Sequence, residues 1–320
     1  MNDLNVIHHL AVSNSMFGRP LRRVEVKNDI PFFEIQKNDL GKYVAVGYNY
    51  EGHDNAPRMA LWEWYMNSKI LPHLQVSNID CRGFYNIELH DSYTYLNNDK
   101  DYNGCLVFSK YKQDKGPVLI PDPYAMQNWG GMLQNIKDTT TWERKQEKIC
   151  FYGTTTGNRD PGKNDRINMC IWSLNHKHLC DFRITKVAQM SQDSVRNAVG
   201  NDVFNNIMTP AVSPEQQMNY KFHLVMDGNT CRFDVWNYLT NSVSFKYASR
   251  EMLWYYPLLL NGMHFIEVTK DNMIEKMHID KKYAEFLTDN AKTTFSRVSQ
   301  SWFHTMYLLG LFESMSQNGK

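Results

Sequence analysis

The chain lacks any long hydrophobic run. Its most apolar stretch, MLWYYPLLLNGMHFIEV from Met252 to Val268, is interrupted by Pro257, Asn261 and Gly262 and is too short to cross a bilayer, so no transmembrane segment is expected. It also lacks an excess of either charge: 35 Lys and Arg face 34 Asp and Glu, for a net charge of +1. That balance argues against a nucleic-acid partner or an anionic membrane surface. The start, MNDLNVIHHLAVSNSMFGRP, has no basic segment followed by an apolar one, so no secretory signal is expected. The six cysteines (Cys81, Cys105, Cys150, Cys170, Cys180, Cys231) contain no C-x-x-C pair, which removes the usual signature of a zinc or redox motif. Several sit in apolar runs such as KICFYG and INMCIW, where a free thiol behaves as a small buried hydrophobe. A reduced, cytoplasmic setting is the matching expectation. HKHLC, His176 to Cys180, has no second ligand pair at a matching distance, so no metal is expected there. There are no internal repeats and no low-complexity tract.

What is present is a globular composition. Over 320 residues, 42% are hydrophobic and 22% charged, enough for two domains with cores of their own. In the first third, KYVAVGYNY, GFYNIELHD, GCLVFSKYK and PVLIP read as strands and RMALWEWYMNSKILPHL as a helix, because apolar residues recur there at helical spacing. The polar PDPYAMQNWGGMLQNIKDTTTWERKQEK reads as a connection. Beyond it KICFYG, CDFRITKVA, KFHLVMDG, VSFKYA and MHFIEV read as strands. They alternate with helices over DRINMCIWSLNH, SPEQQMNY, FDVWNYLTNS and REMLWYYPLL. Strict alternation implies βαβ crossovers and a parallel sheet. The end, from Lys281, reads as helix throughout. The expected domains are 1–135 and 145–294, with a C-terminal helix of about 295–320 that packs back on the first. Two Rossmann-like halves would present their strand ends to a cleft.

CFYGTTTGNRDPGKNDR, Cys150 to Arg166, carries two glycine patterns. Gly157 to Asn164 is G-x-x-x-x-G-K-N, one residue short of a triphosphate loop. The position that should offer a magnesium-binding hydroxyl is Asn164, and Pro161 lies inside the loop. Gly153-Thr154-Thr155-Thr156-Gly157 is better placed, at the carboxyl end of a strand. There backbone N–H groups and threonine hydroxyls suit a diphosphate, although the same run also makes a threonine-rich turn.

The segment Asn219 to Val268 resembles glycosyltransferase family 90, the capsule-associated and protein O-glucosyl- and O-xylosyltransferase group. The matching features are Asp227-Gly228-Asn229 ending a strand, Arg232 opening a helix, and Asn241-Ser242-Val243. Glu251, Tyr256-Pro257 and His264-Phe265-Ile266 follow in the family's order. CFYGTTTGNRD is similar to the family's F-R-G-S-x-T-G segment through Phe151, Gly153, Thr154 and Thr156. GFYNIELHDSYTYL is similar to the strand bearing the catalytic aspartate, at Asp91, and PDPYAMQNWGG to the family's Pro/Trp segment. The likeness spans about Gly83 to Val268. It departs at Tyr152, where the family has arginine, and Arg232 aligns with one residue deleted.

The resemblance implies a two-lobed (GT-B-like) α/β fold and an inverting transfer of xylose or glucose from a UDP-sugar to a hydroxyl of a glycan or protein, with no obligatory cofactor or metal. Inversion needs a base for the attacking hydroxyl and stabilisation of the departing diphosphate. Asp91 is the expected base, with Glu88 in reserve, and His90 is expected to point away if the strand continues. Donor contacts are expected from Gly153, Thr154, Thr155, Thr156, Asp227, Gly228, Asn229 and Arg232. The reserve cations are Arg159, Arg166 and Lys246, and Glu251 would face ribose or sugar hydroxyls. Asp99-Lys100-Asp101 offers the D-x-D of metal-dependent (GT-A) transferases, set in a polar turn. A non-catalytic nucleotide-sugar binding module is the remaining alternative, with Tyr152 in its favour.

Overall fold

In a computed structural model the described residues are 11, 30–53, 55–90, 102–229 and 234–317. The chain divides into two compact units. The first comprises Met1–Gly131, Arg250–Pro257 and Arg297–Lys320; the second comprises Met132–Ser249 and Leu258–Ser296.

In the first unit β1 (Phe32–Lys37) pairs antiparallel with β2 (Tyr43–Tyr48) on one side and β3 (Gly83–Asn86) on the other. The β1–β2 turn is closed by Asn38, whose side-chain oxygen accepts the N–H groups of Leu40 (3.0 Å) and Lys42 (2.9 Å). A βαβ crossover needs a dozen or more residues, and this turn is far shorter, so only antiparallel pairing fits. The expectation of a Rossmann-like first domain is corrected accordingly: its three-stranded sheet is antiparallel. Past β3 the chain turns parallel, Ile87 bridging Leu106, and β4 (Leu106–Val107) runs parallel to β6 (Val118–Leu119). The short β5 (Lys110–Tyr111) pairs antiparallel with Glu251–Met252.

The expected long helix is α1 (Ala56–Tyr65), a π turn over Met66–Ile70, and α2 (Leu71–Val76). Met59, Trp62, Met66, Ile70 and Leu74 bury its apolar face. Asn67 in the π turn pins it to β2 by bonding both the N–H (2.8 Å) and the carbonyl (2.9 Å) of Ala45. The stretch expected to be a connection instead forms helix α3 (Pro123–Gln134). Asp122 starts it, its Oδ1 accepting the Tyr124 N–H at 2.8 Å, the side-chain capping that opens helices. A C-terminal helix, Ser301–Gln317, lies in this unit, and its Tyr307 hydroxyl donates to the Leu119 carbonyl at 2.7 Å.

The second unit is built on one sheet of five parallel strands: β7 (Gln146–Thr154), β8 (Cys180–Lys186), β9 (Tyr220–Val225), β10 (Val243–Tyr247) and, after the two-residue β11 (Glu251–Met252) of the first unit, β12 (Ile266–Val268). Their order across the sheet is β12-β10-β9-β7-β8. Helices α4 (Asp165–Ser173), α5 (Gln192–Val199), α6 (Asn201–Ile207), α7 (Pro214–Gln217) and α8 (Lys281–Val298) accompany it. Ile149, Phe151, Phe182, Ile184, Phe222, Leu224, Val243 and Phe245 belong to its core, alternate residues that share one face of the sheet. Two expected helices take other forms. FDVWNYLTNS supplies a 3₁₀ helix, Asp234–Leu239, and REMLWYYPLL splits into β11 and a 3₁₀ turn, Tyr256–Leu258. Pro257 accounts for the second, because it has no N–H for a helical bond and is tolerated only in the first turn of a helix. No helix among the described residues is long and apolar enough to cross a membrane.

Candidate functional site: loops at the switch point of the parallel sheet

Numbered by their order in the chain, the five strands run 2-1-3-4-5 across the sheet. In such a doubly wound sheet the connections after the first and third strands leave in opposite directions, and ligands bind in the crevice at their carboxyl ends. Here those strands are β7 and β9. The loop after β7 is Thr155-Thr156-Gly157, and the loop after β9 is Asp227-Gly228-Asn229. Two segments about 70 residues apart in sequence, both singled out as donor-binding candidates, thus meet at one point.

Their approach is close enough to demand glycine at two positions. Gly157 has φ +116°, and a Cβ there would lie 3.3 Å from the Gly228 carbonyl oxygen. A Cβ on Gly228 would lie 2.8 Å from the Arg166 guanidinium carbon and collide with the Thr156 hydroxyl. The Gly157 N–H donates to the side-chain oxygens of Asn229 (3.2 Å) and Gln189 (3.3 Å).

Arg166 binds the two loops together. The residue lies on α4 and is buried. Its Nε donates to the Asp227 carbonyl (3.1 Å) and its Nη2 to the Met226 carbonyl (2.8 Å). Nη1 donates to the Thr154 carbonyl (3.2 Å) and the Thr156 hydroxyl (3.1 Å). The guanidinium lies over the Phe151 ring, 5.5 Å from its centroid. A planar fork with several donors is suited to this task, whereas a lysine offers a single point. Arg166, expected as a reserve cation for phosphate, has its donors directed at the loops themselves.

Lys246, on β10, is buried and faces Asp227 at 3.5 Å, and the Ser249 hydroxyl donates to the other Asp227 oxygen. A buried ammonium is retained where a carboxylate balances it, so Asp227 fixes a positive group beside the loops. Thr154 and Thr156 hydroxyls are 3.2 Å apart. Thr155 does structural work. It is fully buried, donating to the Ala188 carbonyl and accepting the Ala188 N–H, both at 2.8 Å. Arg159 is exposed.

The near-triphosphate pattern resolves into a capping turn. Asp160 accepts the Gly162 N–H (2.9 Å), and Pro161–Lys163 is one 3₁₀ turn. Asn164 is the N-cap of α4. It accepts the Ile167 N–H (3.1 Å) while its amide donates to the Thr155 (2.9 Å) and Asn158 (2.8 Å) carbonyls. Sequence reasoning weighed Asn164 only as a poor magnesium ligand. The signal for its actual role was its position one residue before an amphipathic run, where an asparagine caps.

Tyr152 directs its hydroxyl to Asp181 (2.5 Å) and Tyr220 (3.0 Å). Burial, then the bond to Asp181, raises its pKa, and burial pushes Tyr220 up to about 12, so both phenols stay protonated. Glu251, on β11, is buried and accepts a hydrogen bond from Ser109. Asp91, Asp99, Asp101 and Arg232 lie outside the described residues.

At the end of β3, in the first unit, Glu88 is buried and accepts from the His90 N–H (3.0 Å) and ring Nδ1 (2.5 Å). Burial pushes the carboxyl up, but the bonds from His90 and Tyr102 outweigh it and hold the pKa below the usual value. His90 lies at a bend after the strand and reaches back to Glu88 through its N–H and its ring.

No protein-family model matches the chain, and no curated protein matches it. Among solved structures it is similar to the crystal structure of the pneumococcal O-GlcNAc transferase GtfA in complex with UDP and GlcNAc. The identity is 10% and the TM-score 0.34, over 64% of this chain and 41% of that one. The chain therefore spans less than half the length of that structure, and a likeness at this TM-score carries no argument about fold or activity.

Proposed function

We propose that this chain is a UDP-sugar-dependent glycosyltransferase whose donor diphosphate sits at the switch-point loops of the second unit. The observation that carries the reading is the meeting of Thr154–Gly157 with Asp227–Asn229 at the carboxyl ends of β7 and β9. These are also the segments in which the sequence resembles glycosyltransferase family 90. In this reading the Thr154 and Thr156 hydroxyls and the Lys246 ammonium face the diphosphate, and Arg232 adds a bidentate grip. Arg166, Gly157 and Gly228 hold the loops in shape without touching the donor.

The transfer is the inverting one, of xylose or glucose, to a hydroxyl of a glycan or protein. Asp91 takes the proton from the attacking hydroxyl, the hydroxyl oxygen bonds to the anomeric carbon, and UDP departs from the opposite side with both electrons of the broken bond. Charge on the departing diphosphate is stabilised by groups already oriented, which is the larger part of such catalysis. The D-x-D of Asp99 and Asp101 has no part in this scheme.

A thermal-shift screen tests the donor site. UDP and one UDP-sugar should stabilise the chain without added divalent metal, by about 2.7 kcal/mol at a hundredfold excess over Kd, while ATP and GTP should not. Magnesium-dependent stabilisation by ATP would overturn the assignment. The engagement of Tyr152 with Asp181 and Tyr220, where the family carries an arginine, favours one second reading, a module that binds the donor without turning it over. Release of UDP from the stabilising UDP-sugar separates the two.

A further inference from the structure

In the first unit, apart from the donor loops, His53, Glu88 and His90 each offer one ligand atom, and the three atoms lie within 4.8 Å of one another. We propose that they bind a divalent transition ion of the zinc type. The two imidazole rings are 4.8 Å apart between centroids, inclined at 64°. Two imidazoles and one carboxylate are the donor set that zinc, cobalt(II) and iron(II) accept and that magnesium and calcium, which prefer oxygen, do not.

Three features distinguish this group from a simple histidine–carboxylate pair. Glu88 is buried and already serves His90 through its ring and its N–H, yet a second imidazole is brought to the same point. The two histidines come from segments far apart in sequence. His53 is anchored in the turn before α1, its N–H donating to the Tyr50 carbonyl (3.0 Å) and its Nδ1 accepting the Asn55 N–H (3.0 Å). His90 follows β3 and Ile87. Finally, the contact between His90 and Glu88 marks the point where an ion would sit. An ion would take the place of the proton that His90 Nδ1 shares with Glu88, so that this nitrogen and the carboxylate become two of the ligands and a ring nitrogen of His53 the third. His53 and His90 are only partly buried, so an ion there keeps a coordination position for water or a substrate oxygen, as three-ligand zinc sites do.

The full-length chain, stripped with a chelator, should be titrated with cobalt(II) and read by visible absorption. One equivalent should bind with ligand-field bands and without thiolate charge-transfer bands, and zinc should displace it. Cys81, Cys105, Cys150, Cys170 and Cys180 are buried thiols, so a charge-transfer band would point elsewhere and count against the site. His53→Ala and His90→Ala should each abolish the one-equivalent step, and Glu88→Gln, which removes the anionic ligand, should weaken it by at least the roughly 10- to 100-fold that loss of an outer partner costs. His176→Ala with His178→Ala should leave it unchanged. Should a histidine variant fail to fold, the unaltered chain still decides: zinc should protect His53 and His90 from diethylpyrocarbonate, mapped by mass spectrometry. Absence of stoichiometric binding, or binding that survives both histidine substitutions, overturns the proposal. UDP stabilisation is read separately, so failure here leaves the donor-site reading standing.

Discussion

Arg166 shows how a residue can matter to a ligand without touching it. Removing its side chain leaves the carbonyls of Met226, Asp227 and Thr154 without their shared donor. A buried group left unsatisfied costs about 1–3 kcal/mol. Arg166→Ala should therefore destabilise the chain by on the order of 3 kcal/mol in urea unfolding and abolish the thermal shift with UDP. Arg166→Lys should recover part of the stability and little of the UDP response, because one ammonium cannot span both loops. Gly228→Ala tests the same contact from the other side, since its Cβ would press on Arg166 and Thr156. A variant with normal UDP affinity would mean that the loops do not form the donor site. Asp91→Asn asks a different question. It keeps the size of the side chain and removes the base, so product formation should fall by about 10²- to 10⁴-fold while UDP stabilisation persists. Ordinary transfer by that variant would make Asp91 a turn cap and direct attention to Glu88.

At the scale of elements, what the sequence revealed depended on whether local pattern or distant contact decided the outcome. The strands of the second unit were legible because each is a short apolar run bounded by polar turns, as KICFYG and KFHLVM are. The capping box of α7 was equally plain: Ser213 accepts the Gln216 N–H (3.3 Å) and Gln216 accepts the Ser213 N–H (3.0 Å). The Thr154–Gly157 and Asp227–Asn229 segments were recognisable as candidates, but their meeting follows from strand order, which no local pattern encodes. Glu251 illustrates the converse. Its strand β11 pairs with β5, about 140 residues earlier, which the local run REMLWYYPLL does not announce. The first strand, PFFEIQK, does not stand out although Asn28, Asp29 and Pro31 mark its start, because its alternation is confined to Phe33 and Ile35 against Glu34 and Gln36. The central strand β9 yields a direct test of the core. Phe222 is fully buried, its ring 4.7 Å from Phe245 and 5.4 Å from Trp142. Phe222→Ala should cost about 3–5 kcal/mol, against about 1 kcal/mol for Ser213→Ala at the helix cap. Equal losses in urea unfolding would contradict the assignment of β9 to the centre of the sheet.

For the whole molecule, acid is the condition that loads both units at once. His223 in the second unit and His304 in the first are buried, and burial lowers each pKa to about 4. His223 donates from Nε2 to the Gln217 carbonyl at 2.8 Å, so the ring is held neutral with its proton on that nitrogen. In the unfolded chain both rings return to about 6.5. Below that pH the unfolded state binds protons that the folded state refuses, so stability falls as pH drops through 6.5, and the loss levels off near pH 4. The gap of about 2.5 on the pH scale corresponds to on the order of 3 kcal/mol for each histidine. Thermal melts between pH 7.5 and 4.5 should therefore show a midpoint that is flat at the upper end and declines steadily below about 6.5. His223→Gln keeps a side-chain N–H for the Gln217 carbonyl and removes the titration. Its midpoint should lie lower at pH 7.5 if packing is disturbed, but its decline below pH 6.5 should be shallower than that of the unaltered chain. A parent profile that stays flat to pH 4.5, or an unchanged slope in His223→Gln, would show that the ring is not held neutral in the folded protein.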